Sequence, residues 1–185
     1  MKDKVDQFQD VKKKMKEGAK YKAFQLTKPK QLKPVHVSFP TPEEIKPGQA
    51  LIKFEAATIC GTDMPKWDGR EWSDFPAKPG LPLHECAGQV VFSNSPELTP
   101  GSRVLAMPLE DLGLQEYFVT DASQAITLTE DISPIAGALI QPLSTVIYGV
   151  ERLGDVRGKK ALVIGLGALG HLVAWLLKRN GAIVS

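Results

Sequence analysis

Side chains able to hold a metal ion are concentrated in two short stretches of this sequence. Cys60 is followed by Thr62 and Asp63, and further along the chain His84 is followed directly by Glu85. A thiolate, an imidazole nitrogen and a carboxylate oxygen are the groups that bind catalytic zinc, and neighbouring polar groups orient such ligands. A single cysteine is more often a small buried side chain, and a single histidine a satisfied core residue. The combination of residue types favours a metal site over those explanations.

Length and composition are those of a globular protein with one domain or one and a half. The chain has 185 residues, of which 43% are hydrophobic and 24% charged, and its formal net charge is +2. So small a charge gives no reason to expect a nucleic acid or a membrane surface as partner. No apolar run is long enough to span a membrane, and the charged opening lacks the apolar stretch of a signal peptide. The two cysteines fit a reducing compartment, so we expect the cytoplasm.

The first 18 residues have the pattern of an amphipathic helix. Val5, Phe8, Val11 and Met15 recur at three- and four-residue steps, and Gly18 can end the helix. We expect this helix to pack on its own protein, because four apolar residues make too small a face for a membrane surface.

Seven short apolar runs separated by proline- and glycine-containing turns follow the helix. They are residues 21–27, 35–39, 49–56, 89–93, 103–106, 115–119 and 125–127. This pattern predicts a small antiparallel barrel or sandwich with the metal-binding residues on its loops. Trp67, Trp72 and Phe75 lie in the long connection between Cys60 and His84. Such aromatic side chains would either line a substrate cleft or cover the end of the barrel.

The pattern becomes helical after the last of these runs. Ser133 can cap a helix and Pro134 suits its first turn, whereas Gln141 and Pro142 are expected to separate it from a second helix over 143–153. An unbroken apolar run over 161–164 then predicts a strand covered on both faces.

A glycine-rich turn joins that strand to another predicted helix. The turn consists of Gly165, Leu166, Gly167, Ala168, Leu169 and Gly170. Gly181 can end the helix, and residues 182–184 start another strand. Strand, glycines, helix and strand in this order indicate a dinucleotide-binding unit, in which the helix N-terminus receives the pyrophosphate. The acidic residue that would hold the ribose is expected about 20 residues further on, past Ser185.

Taken together, these motifs resemble the N-terminal part of the zinc-dependent medium-chain dehydrogenase/reductase superfamily, which includes alcohol, polyol and threonine dehydrogenases. The resemblance covers residues 21–185 and is carried by residues 56–63, 84–85, 100–104 and 142–145 and by the glycine-rich turn. It implies an α+β GroES-like barrel followed by the first β-α-β unit of a Rossmann domain, incomplete in this chain. The expected division is a helical extension (1–20), a GroES-like catalytic domain (21–150) and the start of a Rossmann domain (151–185).

The resemblance also implies roles for individual residues. Cys60 and His84 would bind zinc, Thr62 would pass the proton of the substrate, and Asp63 and Glu85 would orient the ligands or exchange with them. Thr145 would neighbour the nicotinamide, and residues 165–170 would bind the rest of the cofactor. The implied function is a zinc-dependent hydride transfer between an alcohol or polyol, or the matching carbonyl compound, and NAD or NADP.

Four features depart from the pattern of the superfamily, three single positions and one missing lobe. Gln141 occupies a third-ligand position that is usually Glu or Asp in polyol-type relatives, so the expected ligand set becomes Cys60, His84, Glu85 and Gln141. Leu83 replaces a glycine before the His-Glu pair, and Pro65 replaces a proton-relay histidine. The four-cysteine lobe for a structural zinc is missing after Pro108. We therefore expect one catalytic zinc and no structural zinc.

Two other functions stay open at this point. One is a zinc-free quinone or enoyl reductase of the same fold, and the other is a non-catalytic binding fragment. Because the strand over 161–164 would have only one neighbour, we expect bare apolar edges there. We therefore expect a longer polypeptide, or poor order after about residue 155. A full-length chain of this superfamily would be a homo-oligomer. The sequence does not identify the alcohol or decide between NAD and NADP.

Overall fold

Two units make up the protein, which is described for residues 2–71 and 74–185 of a computed structural model. The first unit is Met1–Ala138 and the second is Leu139–Ser185. Trp72 lies outside the described residues, as does the side chain of Val5. Among the described residues, no helix combines the length and the apolar character needed to cross a bilayer.

Helix α1 (Lys2–Glu17) packs its apolar face on the first unit, as the sequence predicted. Val11 and Met15 are buried in a cluster that includes Tyr21, Phe39 and Leu51. Gly18 ends the helix with a φ of +63°, a left-handed conformation that glycine adopts without steric cost. The helix is therefore part of the core of this unit.

Shortening Met15 should destabilise the first unit markedly. Its side chain is fully buried, so the change Met15→Ala leaves a cavity, and we expect a loss of about 2–5 kcal/mol in the free energy of unfolding. Chemical denaturation followed by circular dichroism measures it. The matched control is Lys16→Ala, an exposed position on the same helix, which should change stability by less than about 0.5 kcal/mol. Equal effects of the two changes would contradict the packing of α1.

Seven strands among the described residues of the first unit confirm the seven predicted runs. A hairpin of β1 (Lys20–Lys28) and β2 (Gln31–Ser38) accompanies a sheet of β3 (Gln49–Thr58), β4 (Glu85–Ser93), β5 (Arg103–Ala106), β6 (Tyr117–Asp121) and β7 (Ala125–Thr127). The sheet order is β6-β3-β4-β5-β7, and all pairings are antiparallel. Phe24 N donates to Leu114 O at 2.9 Å and Glu116 N to Lys22 O at 3.0 Å, which joins the hairpin to the segment before β6.

The core of the sheet fixes where its loops emerge. Ile52, Val90, Val104 and Phe118 are fully or almost fully buried in one cluster. A Cβ on Gly88 would lie 2.3 Å from the Lys53 carbonyl oxygen, so the close pairing of β3 and β4 depends on glycine there. The C-terminal end of β3 and the N-terminal end of β4 consequently lie side by side.

The connection between β3 and β4 contains the short helix α2 (Asp63–Trp67). Trp67 and Phe75 pack against a buried cluster of Leu26, Ala77 and Leu81. These two aromatic side chains therefore pack inside the first unit, and Trp67 also lines a cavity beside Asp63.

Helix α3 (Pro134–Glu151) corrects the prediction of two helices separated at Pro142. Pro142 lies inside one continuous helix, where it removes one backbone donor. The Ser144 hydroxyl donates to the Gln141 carbonyl oxygen at 2.7 Å, so a side chain supplies a bond beside the proline. After Glu151, a turn leads to Gly154, whose φ is +68°.

The second unit contains the predicted strand-helix-strand order. Strand β8 (Lys160–Ala161) pairs in parallel with β9 (Ile183–Val184), and α4 (Ala168–Arg179) connects them. Strand β8 is shorter than the predicted 161–164, although the parallel hydrogen bonding continues where the Val163 N–H donates to the Ser185 carbonyl oxygen at 2.9 Å. Leu162 and Ile164 are 72% and 89% exposed, so the expected bare apolar positions are confirmed.

Candidate metal centre

Three side chains converge at the adjoining ends of β3 and β4. Cys60 lies two residues after β3, His84 immediately precedes β4, and Glu85 is the first residue of β4. One ligand atom from each lies within 4.8 Å of the other two. The side chain of His84 is 12% exposed and Glu85 is 4% exposed, whereas Cys60 is half-buried. A thiol, an imidazole and a carboxyl group at such separations can share one divalent ion, and zinc accepts all three ligand types.

Asp63 orients two of the converging residues. His84 Nδ1 lies 2.9 Å from Asp63 Oδ1, and the Cys60 backbone N–H donates to Asp63 Oδ2 at 2.9 Å. Because Asp63 is 3% exposed, its carboxylate is held away from water. A carboxylate that accepts from Nδ1–H fixes the imidazole tautomer and leaves Nε2 as the free ligand atom.

Glu85 has its own partner on the facing strand. Thr58 lies directly opposite Glu85 in the β3–β4 pair, and its hydroxyl donates to Glu85 Oε2. Glu85 is 4% exposed, so this bond restricts a carboxylate that has little access to solvent. The hydroxyl holds one carboxylate oxygen, and the other remains available to a metal ion.

The second cysteine has a different environment. Cys86 follows Glu85 in β4, is fully buried and belongs to the apolar core of the sheet. Burial raises the pKa of the Cys86 thiol, and the nearby carboxylates of Asp63 and Glu85 raise it further. A protonated thiol is neither a nucleophile nor a metal ligand. Of the two cysteines, Cys60 is therefore the one placed for metal binding.

The glycine-rich turn of the second unit has a backbone that larger residues cannot reproduce. Gly165 has a φ of +94°, and a Cβ on Gly170 would lie 1.9 Å from the Gly165 carbonyl oxygen. Gly167 is the N-cap of α4, and a Cβ there would meet nothing within 4 Å. The N-terminus of a 12-residue helix thus faces open space beside a tight turn, an arrangement suited to a phosphate group.

Known proteins share this combination of fold and motifs. Residues 46–130 match the family model of the alcohol dehydrogenase GroES-like domain. Sorbitol dehydrogenase from Ovis aries is 30% identical over 78% of this chain and 49% of its own length. The structure of a protein described as a zinc-binding dehydrogenase from Sinorhizobium meliloti 1021, bound to NADP, matches with a TM-score of 0.75 and 26% identity, covering 90% of this chain and 55% of that chain. The chain belongs to the medium-chain dehydrogenase/reductase superfamily.

The family and the fold class predicted from the sequence are thereby confirmed. The chain spans about half the length of the curated relatives it matches. The chain is also similar to a protein of a different activity class. The quinone oxidoreductase from Coxiella burnetii matches with a TM-score of 0.74 and 26% identity, over 89% of this chain and 55% of that chain.

The structure shows the backbone contacts and secondary structure at the positions of the first unit that depart from the superfamily pattern. The Leu83 N–H donates to Asp111 O at 2.8 Å, and the Gly113 N–H donates to Leu83 O at 3.0 Å, which ties the residue before His84 to the segment ahead of β6. Pro65 lies in α2. In place of a cysteine-containing lobe, Leu109–Asp111 forms a short turn in which Glu110 and Asp111 have φ values of +55° and +58°.

Of the remaining predicted site residues, Thr62 is exposed at the start of α2 in the first unit, and the others lie in the second unit. Gln141 is half-buried in α3, and Thr145 is exposed one turn later, with its hydroxyl 3.4 Å from the Gln141 carbonyl oxygen. Residues 165–170 form the turn between β8 and α4. The roles of Gln141, Thr145 and this turn stay predictions.

Thr58 is a residue that reasoning from the sequence missed. Its relevance comes from lying opposite Glu85 across two strands that are far apart in the chain. The apolar runs predict both strands, but they do not fix the register between them. In the sequence, the position of the Thr58 hydroxyl two residues before Cys60 was the one indication that it could lie near the site.

Proposed function

We propose that this chain is part of a zinc-dependent oxidoreductase that transfers a hydride between an alcohol or polyol, or the matching carbonyl compound, and NAD or NADP. The observation that carries the proposal is the approach of Cys60, His84 and Glu85 to within 4.8 Å of one another. The Glu85 residue is 4% exposed and the His84 side chain 12%, as expected for a site that excludes water from a charged centre.

The ligand set fits one zinc ion. Cys60 Sγ, His84 Nε2 and a Glu85 oxygen would hold it, and Gln141 would be a further ligand in place of the carboxylate of polyol-type relatives. Bound zinc supplies Lewis acidity, which favours loss of the alcohol proton near neutral pH and polarises a carbonyl in the reverse direction. A neutral amide in place of a carboxylate leaves more positive charge at the site. No structural zinc is proposed.

Residues around the ligands would position them and move the proton. The buried Asp63 accepts from His84 and keeps the imidazole oriented toward the centre. Thr62 is exposed at the start of α2, and its side chain does not cap that helix. Its hydroxyl is free to accept the proton of the substrate and to pass it on to water or to the cofactor ribose, since Pro65 offers no imidazole for that step.

A nicotinamide dinucleotide fits the second unit. The N–H groups at the N-terminus of α4, together with residues 165–170, would bind the pyrophosphate. The Gly165 carbonyl oxygen fills the space that a side chain at position 170 would need, so the tight turn is maintained by glycine. Thr145 would contact the nicotinamide. The NADP-bound relative from S. meliloti supports this class of cofactor.

The wider setting follows from the same family. A small alcohol or carbonyl compound is the substrate, neither nucleic acid nor membrane is a partner, and the full-length protein is a homo-oligomer in the cytoplasm. A reducing compartment suits a site that depends on a free thiol, and both cysteines are unpaired. The domain limits at residues 20 and 150 stay part of this proposal.

Metal content and cofactor binding test the proposal together. Protein purified without added zinc should contain about one zinc ion per chain, measured by plasma mass spectrometry. Titration of NADH into the same protein should enhance the fluorescence of the nucleotide. Absence of zinc with retained NADH binding would favour the zinc-free reductase, which the likeness to the C. burnetii quinone oxidoreductase keeps open. Absence of both would leave a non-catalytic binding protein.

A further inference from the structure

The turn over residues 109–113 holds the residue that precedes the ligand His84. The Leu83 N–H donates to the Asp111 carbonyl oxygen at 2.8 Å, and the Gly113 N–H donates to the Leu83 carbonyl oxygen at 3.0 Å. Leu83 is 5% exposed, and a Cβ on Gly113 would lie 2.5 Å from the Leu83 carbonyl oxygen. Both backbone groups of Leu83 are therefore bound by this closely packed turn.

This turn has a backbone conformation that other contacts must maintain. Glu110 and Asp111 both adopt the left-handed region, which residues other than glycine rarely occupy. Such conformations cost free energy and persist only where the surrounding structure fixes them. The two carboxylates form ion pairs, Glu110 with Lys78 and Asp111 with Lys66. Two neighbouring ion pairs thus anchor two consecutive strained residues.

The two ion pairs differ in what they connect. Lys66 lies in α2, whose first residue is Asp63, and Asp63 Oδ1 lies 2.9 Å from His84 Nδ1. The side chains of Lys66 and Asp111 are 23% and 33% exposed, whereas both side chains of the neighbouring pair are 63% exposed. The less exposed pair therefore joins the helix that carries Asp63 to the turn that holds the residue before His84.

We propose that the ion pair between Lys66 and Asp111 positions His84 for metal binding, without touching the metal ion itself. The inference rests on the proposed function, which assigns a zinc ion to this ligand and the two side chains that converge with it. On one side, Asp111 binds Leu83 and so sets the backbone before His84. On the other side, Lys66 anchors α2, which presents Asp63 to the His84 ring. Metal affinity depends on such orientation of the ligands.

Neutralising Asp111 tests this role against a matched neighbour. Asp111→Asn keeps the size of the side chain, and asparagine tolerates the left-handed backbone. We expect the zinc affinity of the 185-residue chain, measured by chelator competition, to fall about three- to tenfold, less than on loss of a group bonded directly to a ligand. The control Glu110→Gln removes an equal charge from the same turn, and it should change the zinc affinity by less than about twofold.

Substitutions of Lys66 separate positioning from the effect of charge alone. Lys66→Met removes a positive charge from α2, which by charge alone would tighten the binding of a divalent cation. The positioning role predicts the opposite, a loss of about three- to tenfold. Lys66→Arg should retain the affinity, because it keeps the ion pair. In the double variant Lys66→Met with Asp111→Asn, the loss should match that of either single change, since both remove the same contact.

The tautomer of the His84 ring gives a spectroscopic readout that does not require zinc. In the metal-free chain, NMR of the imidazole nitrogens should show the Nδ1–H tautomer fixed by Asp63, both in the unchanged protein and in the two control variants Glu110→Gln and Lys66→Arg. Asp111→Asn and Lys66→Met should show a mixture of tautomers. A general loss of stability would not change the tautomer of the folded chain.

Different outcomes separate this inference from the proposed function. Zinc affinity that rises in Lys66→Met, or that falls equally in Asp111→Asn and Glu110→Gln, would overturn the positioning role even if zinc and NADH bind. A chain that binds no zinc would contradict the proposed function. In such a chain, a changed His84 tautomer in Asp111→Asn would still support the positioning role, and an unchanged tautomer would overturn it.

Discussion

Replacing Cys60 with alanine should remove zinc from the protein. The change deletes the one thiolate of the proposed site. Loss of a residue that only hydrogen-bonds to a metal ligand already lowers metal affinity by roughly 10–100-fold, so loss of a ligand should have a larger effect. We therefore expect the zinc affinity of Cys60→Ala to fall by more than about 100-fold, measured by competition with a chromogenic chelator. In cobalt-substituted protein, the thiolate-to-metal charge-transfer band should disappear as well.

The second cysteine provides the matched control for this experiment. Cys86 is fully buried, and its raised thiol pKa keeps it protonated. Cys86→Ala should retain zinc and the charge-transfer band, while losing roughly 0.5–3 kcal/mol of stability from the core. If the two variants lost zinc equally, or if Cys60→Ala kept the band, the thiolate would not be a ligand and the metal-centre proposal would fail.

The cysteine pair also shows what the sequence could predict. The motif around residues 60–63 and the His84-Glu85 pair predicted that a thiol and an imidazole would meet at loops of the barrel. The converging ligand atoms agree with that prediction. These side chains lie together because the short apolar runs define strands, and strand ends define where loops emerge. Cys60 is partly exposed and Cys86 is fully buried in the core. The spacing of residues in the sequence does not reveal this difference in burial.

Features set by tertiary context were harder to predict. Pro142 was expected to separate two helices, but α3 continues through it. The sequence indicates that a proline inside a helix is destabilising, because it removes a backbone hydrogen bond. Whether the helix nevertheless continues depends on its packing and on side-chain hydrogen bonds, which are set by the tertiary structure. The partnership of Thr58 with Glu85 likewise depends on the register between strands β3 and β4.

The glycine-rich turn leads to the second large effect. Gly170→Ala would place a Cβ 1.9 Å from the Gly165 carbonyl oxygen and 2.9 Å from its carbon, so the turn must open. The obstacle is backbone rather than a flexible side chain, and overpacking of this kind costs typically about 1–3 kcal/mol. Because the second unit is small and has exposed apolar residues, a loss of that size should speed amide hydrogen exchange throughout α4 by about tenfold or more.

Gly167→Ala is the matched control, since a Cβ at that position meets nothing within 4 Å and the backbone φ of −70° suits alanine. Its hydrogen exchange should match that of the unchanged protein. NADH binding should nevertheless weaken in both variants, through an opened turn in Gly170→Ala and through a methyl group facing the pyrophosphate in Gly167→Ala. Hydrogen exchange detected by mass spectrometry and NADH fluorescence separate the two causes. Unchanged exchange in Gly170→Ala would show that the close contact with Gly165 does not hold the turn. Undiminished NADH binding in Gly167→Ala would remove the turn from the proposed cofactor site.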